Sequence, residues 1–216
     1  TMQRSTAQDN LAAPGSVLVV GGGIGGMRSA LDLADAGLKV FLIEQTSGLG
    51  GRVSKLGFMF PQHDCVLCRG TPDHGYGCTR PSISPAYIQH NHHPNIEILT
   101  NTQIVDVEGQ AGDFTVSLKQ EPRYIKPERC INCGYCAEVC PVEKPDEYQQ
   151  GMIVRKAAYK ISARAAPDAF VIDYGPYCVD CNRCVEICPT QAIDLNALPR
   201  LLNVSVSAII LAVGFE

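Results

Sequence analysis

CINCGYCAEVCP at residues 130–141 recurs as CVDCNRCVEICP at residues 178–189, so one cysteine spacing occurs twice in this chain of 216 residues. In each copy, two residues lie between the first and second cysteines and two between the second and third. Three residues lie between the third and fourth cysteines, and a proline follows the fourth. The two copies hold eight of the 11 cysteines. Cysteines that are this closely and regularly spaced indicate metal or redox chemistry rather than disulfide bonds. The repeat therefore predicts a metal-binding unit made of two similar halves.

The order of the spacings indicates which metal centre the repeat binds. C-x2-C-x2-C-x3-C-P is the pattern by which bacterial-type ferredoxins hold two [4Fe–4S] clusters, and there the fourth cysteine of each motif binds the cluster of the other motif. We therefore predict one cluster on Cys130, Cys133, Cys136 and Cys188, and a second on Cys178, Cys181, Cys184 and Cys140. A pair of zinc sites is the alternative, although zinc needs no such shared order of cysteines.

Each motif ends in a proline, Pro141 or Pro189. Proline has no backbone N–H donor and a fixed φ, and both properties suit the first turn of a helix. We therefore expect a helix to leave each cluster site at its proline.

A second pattern, near the amino end, predicts a nucleotide-binding fold. Ser16–Val20 has the apolar, β-branched composition of a buried parallel strand, and GGGIGG at residues 21–26 follows it directly. A helix is predicted over Met27–Ala36 and ends at Gly37. Leu38–Glu44 is then a second strand that ends in an acid. Strand, glycine loop, helix, strand and acid together form the dinucleotide-binding fingerprint.

The fingerprint assigns a role to each of its residues. Gly21 makes the tight turn, Gly23 lets the backbone approach a pyrophosphate, and Gly26 lets the helix pack on the strand. Glu44 is expected to bind the hydroxyls of an adenosine ribose. Gly22 belongs to the same loop and to the predicted cofactor site. The alternative is a glycine turn that binds no ligand.

The next loop distinguishes between FAD and NAD. Gly48-Leu49-Gly50-Gly51-Arg52 resembles the G-G-R element that follows the second strand in many FAD-binding oxidoreductases. This resemblance implies FAD, with Gly50, Gly51 and Arg52 on its phosphate side. A glycine-rich connection without a ligand is the alternative.

The predicted domain order consists of a flexible leader at residues 1–15, a first part of the FAD-binding domain at 16–121, a two-cluster insertion at 122–197 and a return strand at 198–216. Further strands are predicted over Asn95–Thr100, Thr102–Val107 and Phe114–Leu118. Lys55–His93 is predicted to be an irregular loop with a short helix over Pro85–Gln89. Val204–Gly214 is predicted to be one buried strand.

Three cysteines lie outside the repeat: Cys65, Cys68 and Cys78. They could form a third metal site with His63, His74 or another ligand, or a redox-active dithiol. They could also be reduced cysteines in a shaped loop, because free cysteine is often a small buried hydrophobe. The sequence leaves these three interpretations open.

Composition excludes two classes of partner. The net charge is −4, and the 18 Lys and Arg residues form no basic cluster, so we expect no nucleic-acid partner. The longest apolar run, Ala208–Val213, is far shorter than the ~20 residues that span a bilayer, and the amino end lacks an apolar signal core. We therefore expect no membrane span and a cytoplasmic location.

The order of these motifs is similar to that of the heterodisulfide reductase A subunit, including its bacterial homologues. GGGIGG, GLGGR, HDCVLC, HPNIEILT, DVEG, the two cysteine motifs and AIILAVGFE carry the resemblance. It implies an α/β fold, a Rossmann-like, thioredoxin-reductase-like FAD-binding domain interrupted by an α+β bacterial-type 2[4Fe–4S] ferredoxin domain. It also places Gly214 near FAD, although Val213 departs from the family's A-T-G at that point. The family continues well past Glu216, so we expect this sequence to be a fragment.

The resemblance implies an oxidoreductase component that passes electrons between FAD and two [4Fe–4S] clusters. Its implied partners are other subunits of a soluble redox complex and ferredoxin or a similar carrier, and electron bifurcation is one implied activity. An iron–sulfur relay without flavin is the first alternative. An NAD(P)H-dependent small subunit is the second, although its two-cluster unit precedes the nucleotide fold instead of interrupting it.

Overall fold

The structure is a computed structural model that describes residues 8–12, 15–56, 58–59, 64–65, 93–162, 166–175 and 178–214. Its strands are β1 Gln8–Ala12, β2 Val17–Val20, β3 Val40–Ile43, β4 Phe58–Met59, β5 Asp64–Cys65, β6 Ile96–Leu99, β7 Thr102–Gln110, β8 Asp113–Gln120, β9 Glu143–Pro145, β10 Val154–Lys156, β11 Ala158–Tyr159, β12 Val171–Ile172, β13 Arg200–Val206 and β14 Ala208–Leu211. Its helices are α1 Ile24–Asp35, α2 Tyr135–Glu138 and α3 Arg183–Ile187, with a 3-10 turn at Arg52–Lys55.

The chain divides into two compact units. The first unit contains Thr1–Pro122, Ser162–Pro167 and Leu198–Glu216, and the second contains Arg123–Ile161 and Asp168–Ala197. Ser162–Pro167 falls within the predicted insertion, residues 122–197, but belongs to the first unit.

A parallel sheet forms the centre of the first unit. Its strand order is β14-β2-β3-β6, and every neighbouring pair is parallel. Helix α1 covers one face with a buried stripe that includes Met27, Ala30 and Ala34. The two central strands are apolar throughout because side chains on both of their faces are covered.

A second sheet, antiparallel except for the parallel pair of β1 and β13, covers the other face of the parallel sheet. Its strand order is β1-β13-β8-β7. Leu18 and Phe41 of the parallel sheet share a core with Val116, Leu202 and other buried residues of the second sheet. The strand predictions that correspond to β6, β7 and β8 are therefore confirmed, with β7 extending three residues further to Gln110.

The predicted single strand Val204–Gly214 is wrong, because the structure divides it between the two sheets. β13 pairs with β8 and β14 pairs with β2, and the division falls at Ser207, whose N–H donates to Ser16 O at 2.8 Å. The physical reason is visible in the pattern. Leu202, Val204 and Val206 alternate with less buried residues, as in a sheet with one covered face, whereas AIIL in β14 is a continuous apolar run.

The predicted flexible leader contains a strand. β1 pairs in parallel with β13, with Gln8 opposite Leu201 and Ala12 opposite Ser205. Without it, β13 would present an edge of unpaired backbone groups, which such pairing satisfies.

The expectation that helices begin at the two prolines is also wrong. α2 ends before Pro141, and α3 ends before Pro189. Cys188 adopts an extended conformation with φ −71° and ψ 109°. The residue before a proline disfavours the helical region, so each proline stops a helix here instead of starting one.

The second unit has a small core in which the two cysteine motifs meet. Ile125 and Ile193 form an antiparallel bridge, and Lys126 N–H donates to Ala192 O at 2.8 Å. Ile125, Ile172, Ala192 and Ile193 are buried there together with Cys136 and other cysteines of both motifs. Of the helices that the structure describes, none has the length and apolar character needed to cross a membrane. The predicted helix at residues 85–89 lies outside the described residues.

Candidate cofactor sites

At Gly21 and Gly26, in the glycine loop after β2, backbone contacts leave no space for a side chain. Gly21 has φ +108°, and a Cβ added to it would overlap the carbonyl oxygen of Ala212. A Cβ on Gly26 would overlap the carbonyl oxygen of Gly21. These positions require glycine because the loop, the first turns of α1 and the end of β14 are in backbone contact.

Glu44 shapes this loop from the end of β3. The side chain is 8% exposed, and its carboxylate accepts hydrogen bonds from Gly22 N–H at 2.7 Å and Thr46 N–H at 2.8 Å. The acid of the fingerprint is therefore bonded to the backbone of the glycine loop. Its predicted contact with a ribose stays a prediction, and the carboxylate oxygens retain further lone pairs for it.

The second glycine loop lies directly against the first. Gly50 N–H donates to Gly22 O at 2.7 Å, and a Cβ on Gly51 would lie 3.2 Å from Gly23 Cα. The side chain of Arg52 is exposed. The structure thus brings together the two loops that the sequence predicted as one site.

Gly214 follows β14 on the same edge of the parallel sheet, with φ +79° and an exposed position. The carboxyl ends of β2 and β14 meet at this edge, where Ala212 N–H donates to Val20 O at 2.8 Å. The strand order runs from β2 to β3 and β6 on one side and to β14 on the other, so this edge is a switch point, where open α/β sheets bind ligands.

Helix α1 adds a feature that suits a phosphate. Gly23 is its N-cap, no side chain caps it, and its first turn contains no acidic residue. The N–H groups of a helix amino end attract anions. The space around Gly23 is also open, because a Cβ there would meet no atom within 4 Å. The residues present therefore fit a dinucleotide pyrophosphate.

The second candidate site is a small pocket in the second unit that is partly open to solvent. Its lining includes Cys130, Cys133, Cys136 and Cys188. These are three cysteines of the first motif and the fourth cysteine of the second motif. The structure thus places one of the two crossed ligand sets around a single pocket. None of the eight cysteines of the repeat is in a disulfide bond.

The thiols of the pocket influence one another. Burial, together with the neighbouring Cys130 and Cys133 thiols, raises the pKa of Cys136 to about 12 against the lowering effect of the Ala137 N–H. Burial also acts to raise the pKa of Cys188, but backbone and hydroxyl donors outweigh it, so that the pKa of Cys188 is lowered. One of these donors is Ala192 N–H, whose nitrogen lies 3.3 Å from Cys188 Sγ. Mutually repelling thiolates of this kind are stabilised by a cationic metal core.

The other crossed set is less buried. Cys181 is exposed, and Cys140, Cys178 and Cys184 are half-buried. Burial raises the pKa of Cys184, and the Cys178 and Cys181 thiols add to that rise. Among the described residues, no three His, Cys, Asp or Glu side chains are gathered closely enough to hold a metal ion. The fit of both sets therefore rests on their chemistry and on the shared pocket of the first set, not on ligand distances.

Comparison with known families covers both sites. Residues 16–66 match the family model of an FAD dependent oxidoreductase, and residues 126–192 match that of a 4Fe-4S dicluster domain. The chain is 42% identical over 199 residues to an iron-sulfur A subunit, numbered 2, of the CoB–CoM heterodisulfide reductase of Methanopyrus kandleri. That match covers 92% of this chain and 28% of that protein.

Other relatives are similar over the same part of the chain. Identity is 37% over 201 residues with the iron-sulfur A subunit of the CoB–CoM heterodisulfide reductase of Methanocaldococcus jannaschii, covering 93% of this chain and 28% of that protein. It is 39% over 201 residues with the A subunit of the H2/formate:CoB-CoM heterodisulfide,ferredoxin reductase of Methanococcus maripaludis, with the same coverage.

The chain belongs to the family of the heterodisulfide reductase A subunit. It spans 28% of the length of each of these relatives. Membership confirms the predicted fold class, an FAD oxidoreductase domain combined with a dicluster domain. The two family-model matches also confirm the predicted cofactors, FAD and two [4Fe–4S] clusters, and the dicluster match decides against a pair of zinc sites.

Two contacts within the predicted flavin site of this heterodisulfide reductase homologue were not predicted from the sequence. Ala212 contacts both Gly21 and Gly26, and its small size was the available signal, because a larger side chain would crowd Gly26. The second contact is that of Ala166, whose carbonyl accepts a hydrogen bond from Leu49 N–H at 2.7 Å. No local pattern could have indicated that contact, because 117 positions separate Leu49 from Ala166.

Cys65 lies in β5, opposite Phe58 of β4. Cys68, Cys78, His63 and His74 lie outside the described residues. The three interpretations of these cysteines therefore stay open in this member of the heterodisulfide reductase family.

Proposed function

We propose that this chain is an electron-transfer segment of a heterodisulfide-reductase-like oxidoreductase, in which electrons pass between FAD and two [4Fe–4S] clusters. The observation that carries the proposal is that one chain combines a backbone cradle at the switch point of a parallel sheet with a pocket lined by four cysteines from two motifs. FAD exchanges electrons singly or in pairs, and [4Fe–4S] clusters exchange them one at a time.

For FAD we propose a site formed by Gly21, Gly22, Gly23, Gly26, Glu44, Gly50, Gly51, Arg52 and Gly214. Support comes from the uncapped amino end of α1 and the open space at Gly23, and from the backbone contacts at Gly21 and Gly26 that fix the loop. The exposed Arg52 guanidinium would meet a phosphate as a charged donor. Glu44 would hold the loop and offer its remaining lone pairs to ribose hydroxyls.

For the clusters we propose the crossed ligand sets, with Cys188 completing the first site and Cys140 the second. The shared pocket of the first set supports this assignment. So does the Ala192 N–H bond to Cys188 Sγ, since amide donors to ligand sulfurs stabilise the negative charge of an iron–sulfur site and tune its potential.

For partners, we propose other subunits of a redox complex and ferredoxin or a similar carrier. The support is in the names of the relatives, one of which belongs to a heterodisulfide,ferredoxin reductase. Electron bifurcation and a cytoplasmic location belong to the same proposal.

Anaerobic purification followed by flavin and iron analysis and EPR tests the proposal. We expect about one FAD and about eight iron atoms per chain, since each cluster contains four irons. Two interacting [4Fe–4S] signals should appear on reduction. Iron without flavin would favour the relay alternative. Zinc in place of iron would contradict the proposal.

A further inference from the structure

Arg123 is a half-buried cation that is bonded to a segment lining the cysteine pocket. Its Nε donates to Phe170 O at 3.1 Å, and its Nη2 donates to Ala169 O at 2.8 Å. Phe170 lines the pocket together with Cys130, and Ala169 is only 1% exposed. The guanidinium is therefore clamped against a segment that forms the wall of this pocket.

The backbone of Arg123 is fixed as well as its side chain. Ile172 N–H donates to Arg123 O at 3.3 Å, and Ile125, two residues further along the chain, lines the pocket itself. Bonds at both ends of the residue hold the charge in one position relative to the cysteines.

The charge persists at neutral pH. Burial lowers the pKa of Arg123 to about 10, and the Cys130 thiol and the Tyr159 hydroxyl act against that fall. A pKa of about 10 leaves the guanidinium protonated at pH 7. Phe170, to which the guanidinium donates, lines the pocket of Cys130, Cys133, Cys136 and Cys188, so this cysteine set is the one that lies beside the cation.

We propose that the positive charge of Arg123 raises the reduction potential of the cluster held by Cys130, Cys133, Cys136 and Cys188 relative to the other cluster. This inference rests on the proposed function. Each electron that enters the site adds one negative charge to a centre that its thiolates already make negative. A fixed cation nearby stabilises the reduced form more than the oxidised form, because Coulomb energy grows with the charge it meets.

Because it is partly buried, Arg123 should affect the cluster more strongly than Arg129, the surface cation nearest to Cys130 in sequence. Arg129 precedes Cys130 directly, but it is exposed. Effective dielectric constants are about 20 near protein groups and about 80 in water, so at equal distance the buried charge acts on the order of fourfold more strongly. Arg129→Gln therefore removes the same charge and serves as the matched control.

The test is a mediator-buffered redox titration with dithionite, followed by EPR, on the parent protein and on Arg123→Gln, Arg123→Lys and Arg129→Gln. Iron content is measured first, and the two signals are assigned with a Cys133→Ser variant. We expect Arg123→Gln to lower the potential of the first cluster and leave the second unchanged. Arg123→Lys should stay near the parent value, and Arg129→Gln should shift the potential several-fold less than Arg123→Gln.

Several results would overturn the inference. An unshifted potential in Arg123→Gln would do so, and so would an equal fall in Arg123→Gln and Arg123→Lys, which would identify a brace instead of a charge effect. Loss of the first cluster in both Arg123→Gln and Arg123→Lys would also overturn the inference, because it would show that Arg123 acts as a structural brace. If only Arg123→Lys retains iron, the charge is what the site requires and the inference stands. A parent protein without two clusters would instead refute the proposed function.

Discussion

Gly25 and Gly26 are neighbours in α1 that differ in what surrounds them, and they allow a test at the scale of single residues. A Cβ on Gly26 would overlap Gly21 O, whereas a Cβ on Gly25 would meet no atom within 4 Å. We expect Gly26→Ala to destabilise the first unit by about 1–3 kcal/mol through overpacking and to abolish FAD binding. Gly25→Ala should keep FAD and gain about 0.5–1 kcal/mol from helix propensity.

Flavin absorbance and thermal unfolding measure both effects of these glycine variants. Iron content should be unchanged in each, because neither residue lies in the second unit. Retention of stoichiometric FAD by Gly26→Ala would contradict the assigned cradle.

Cys188 offers a second test at the residue scale. It lies at the end of the second motif but lines the pocket of the first. We expect Cys188→Ser to damage the cluster of Cys130, Cys133 and Cys136 and to leave that of Cys178, Cys181 and Cys184 in place. Iron analysis and EPR measure the outcome, with Cys140→Ser as the reciprocal control. Selective loss of the Cys178 cluster would refute the crossed assignment.

At the scale of elements, an ionic network anchors the hairpin of β9 and β10. Lys144 is 7% exposed in its side chain, and it donates to Asp173 at 2.6 Å and to Glu147 at 2.8 Å. Arg155 also bonds both carboxylates, at 2.7 Å and 3.1 Å. Two cations and two carboxylates thus join the hairpin to the segment that follows β12. A buried lysine is tolerated here because its hydrogen bonds offset its desolvation.

Glu147 makes the stability of this network depend on pH. The hydrogen bond from Lys144 lowers the pKa of Glu147 to about 2, with a further contribution from Arg155 against the opposing effect of burial. A depressed carboxyl pKa contributes stability above the unfolded-state value of about 4.3, and this is lost as pH falls toward 2. Glu147→Gln should therefore be less stable than the parent at pH 7, and the difference should shrink below about pH 4.

The expected deficit is small, less than about 1 kcal/mol, because Glu147 is 67% exposed and solvent screens the pair. Urea unfolding of the cofactor-loaded protein at a series of pH values measures it. Glu186→Gln, which removes an exposed carboxylate on α3, is the control. A deficit that persists unchanged at low pH would show that the amide disturbs packing instead of removing a charge interaction.

At the scale of the whole molecule, the described residues form separate cores in the two units. The two larger cores contain residues of the first unit, and the third contains residues of the second unit together with the sulfurs of both cysteine motifs. We expect removal of iron by a chelator to unfold the second unit and leave FAD bound. Limited proteolysis with mass spectrometry should then show new cleavage concentrated in residues 123–161 and 168–197. Release of FAD together with iron would contradict the independence of the two units.

Local spacing allowed several features to be predicted from the sequence. The cysteine intervals, the glycine intervals and the apolar runs of β2 and β3 depend on neighbours within a few residues, so they indicated the cofactor classes and the Rossmann-like start of the fold. The same logic failed at Pro141 and Pro189, because a proline can either begin a helix or follow the end of one. Only the backbone conformation shows that both prolines follow a helix here.

The sequence by itself determined which cofactors this chain binds. Only the tertiary structure decided that Val204–Gly214 is divided between two sheets, that β1 pairs with β13, and that Ala166 holds the second glycine loop. The bonding of Arg123 to a segment lining the cysteine pocket was likewise invisible in the sequence. These features are contacts between distant segments, and a strand or a cation satisfies the same local rules whichever partner it finally meets.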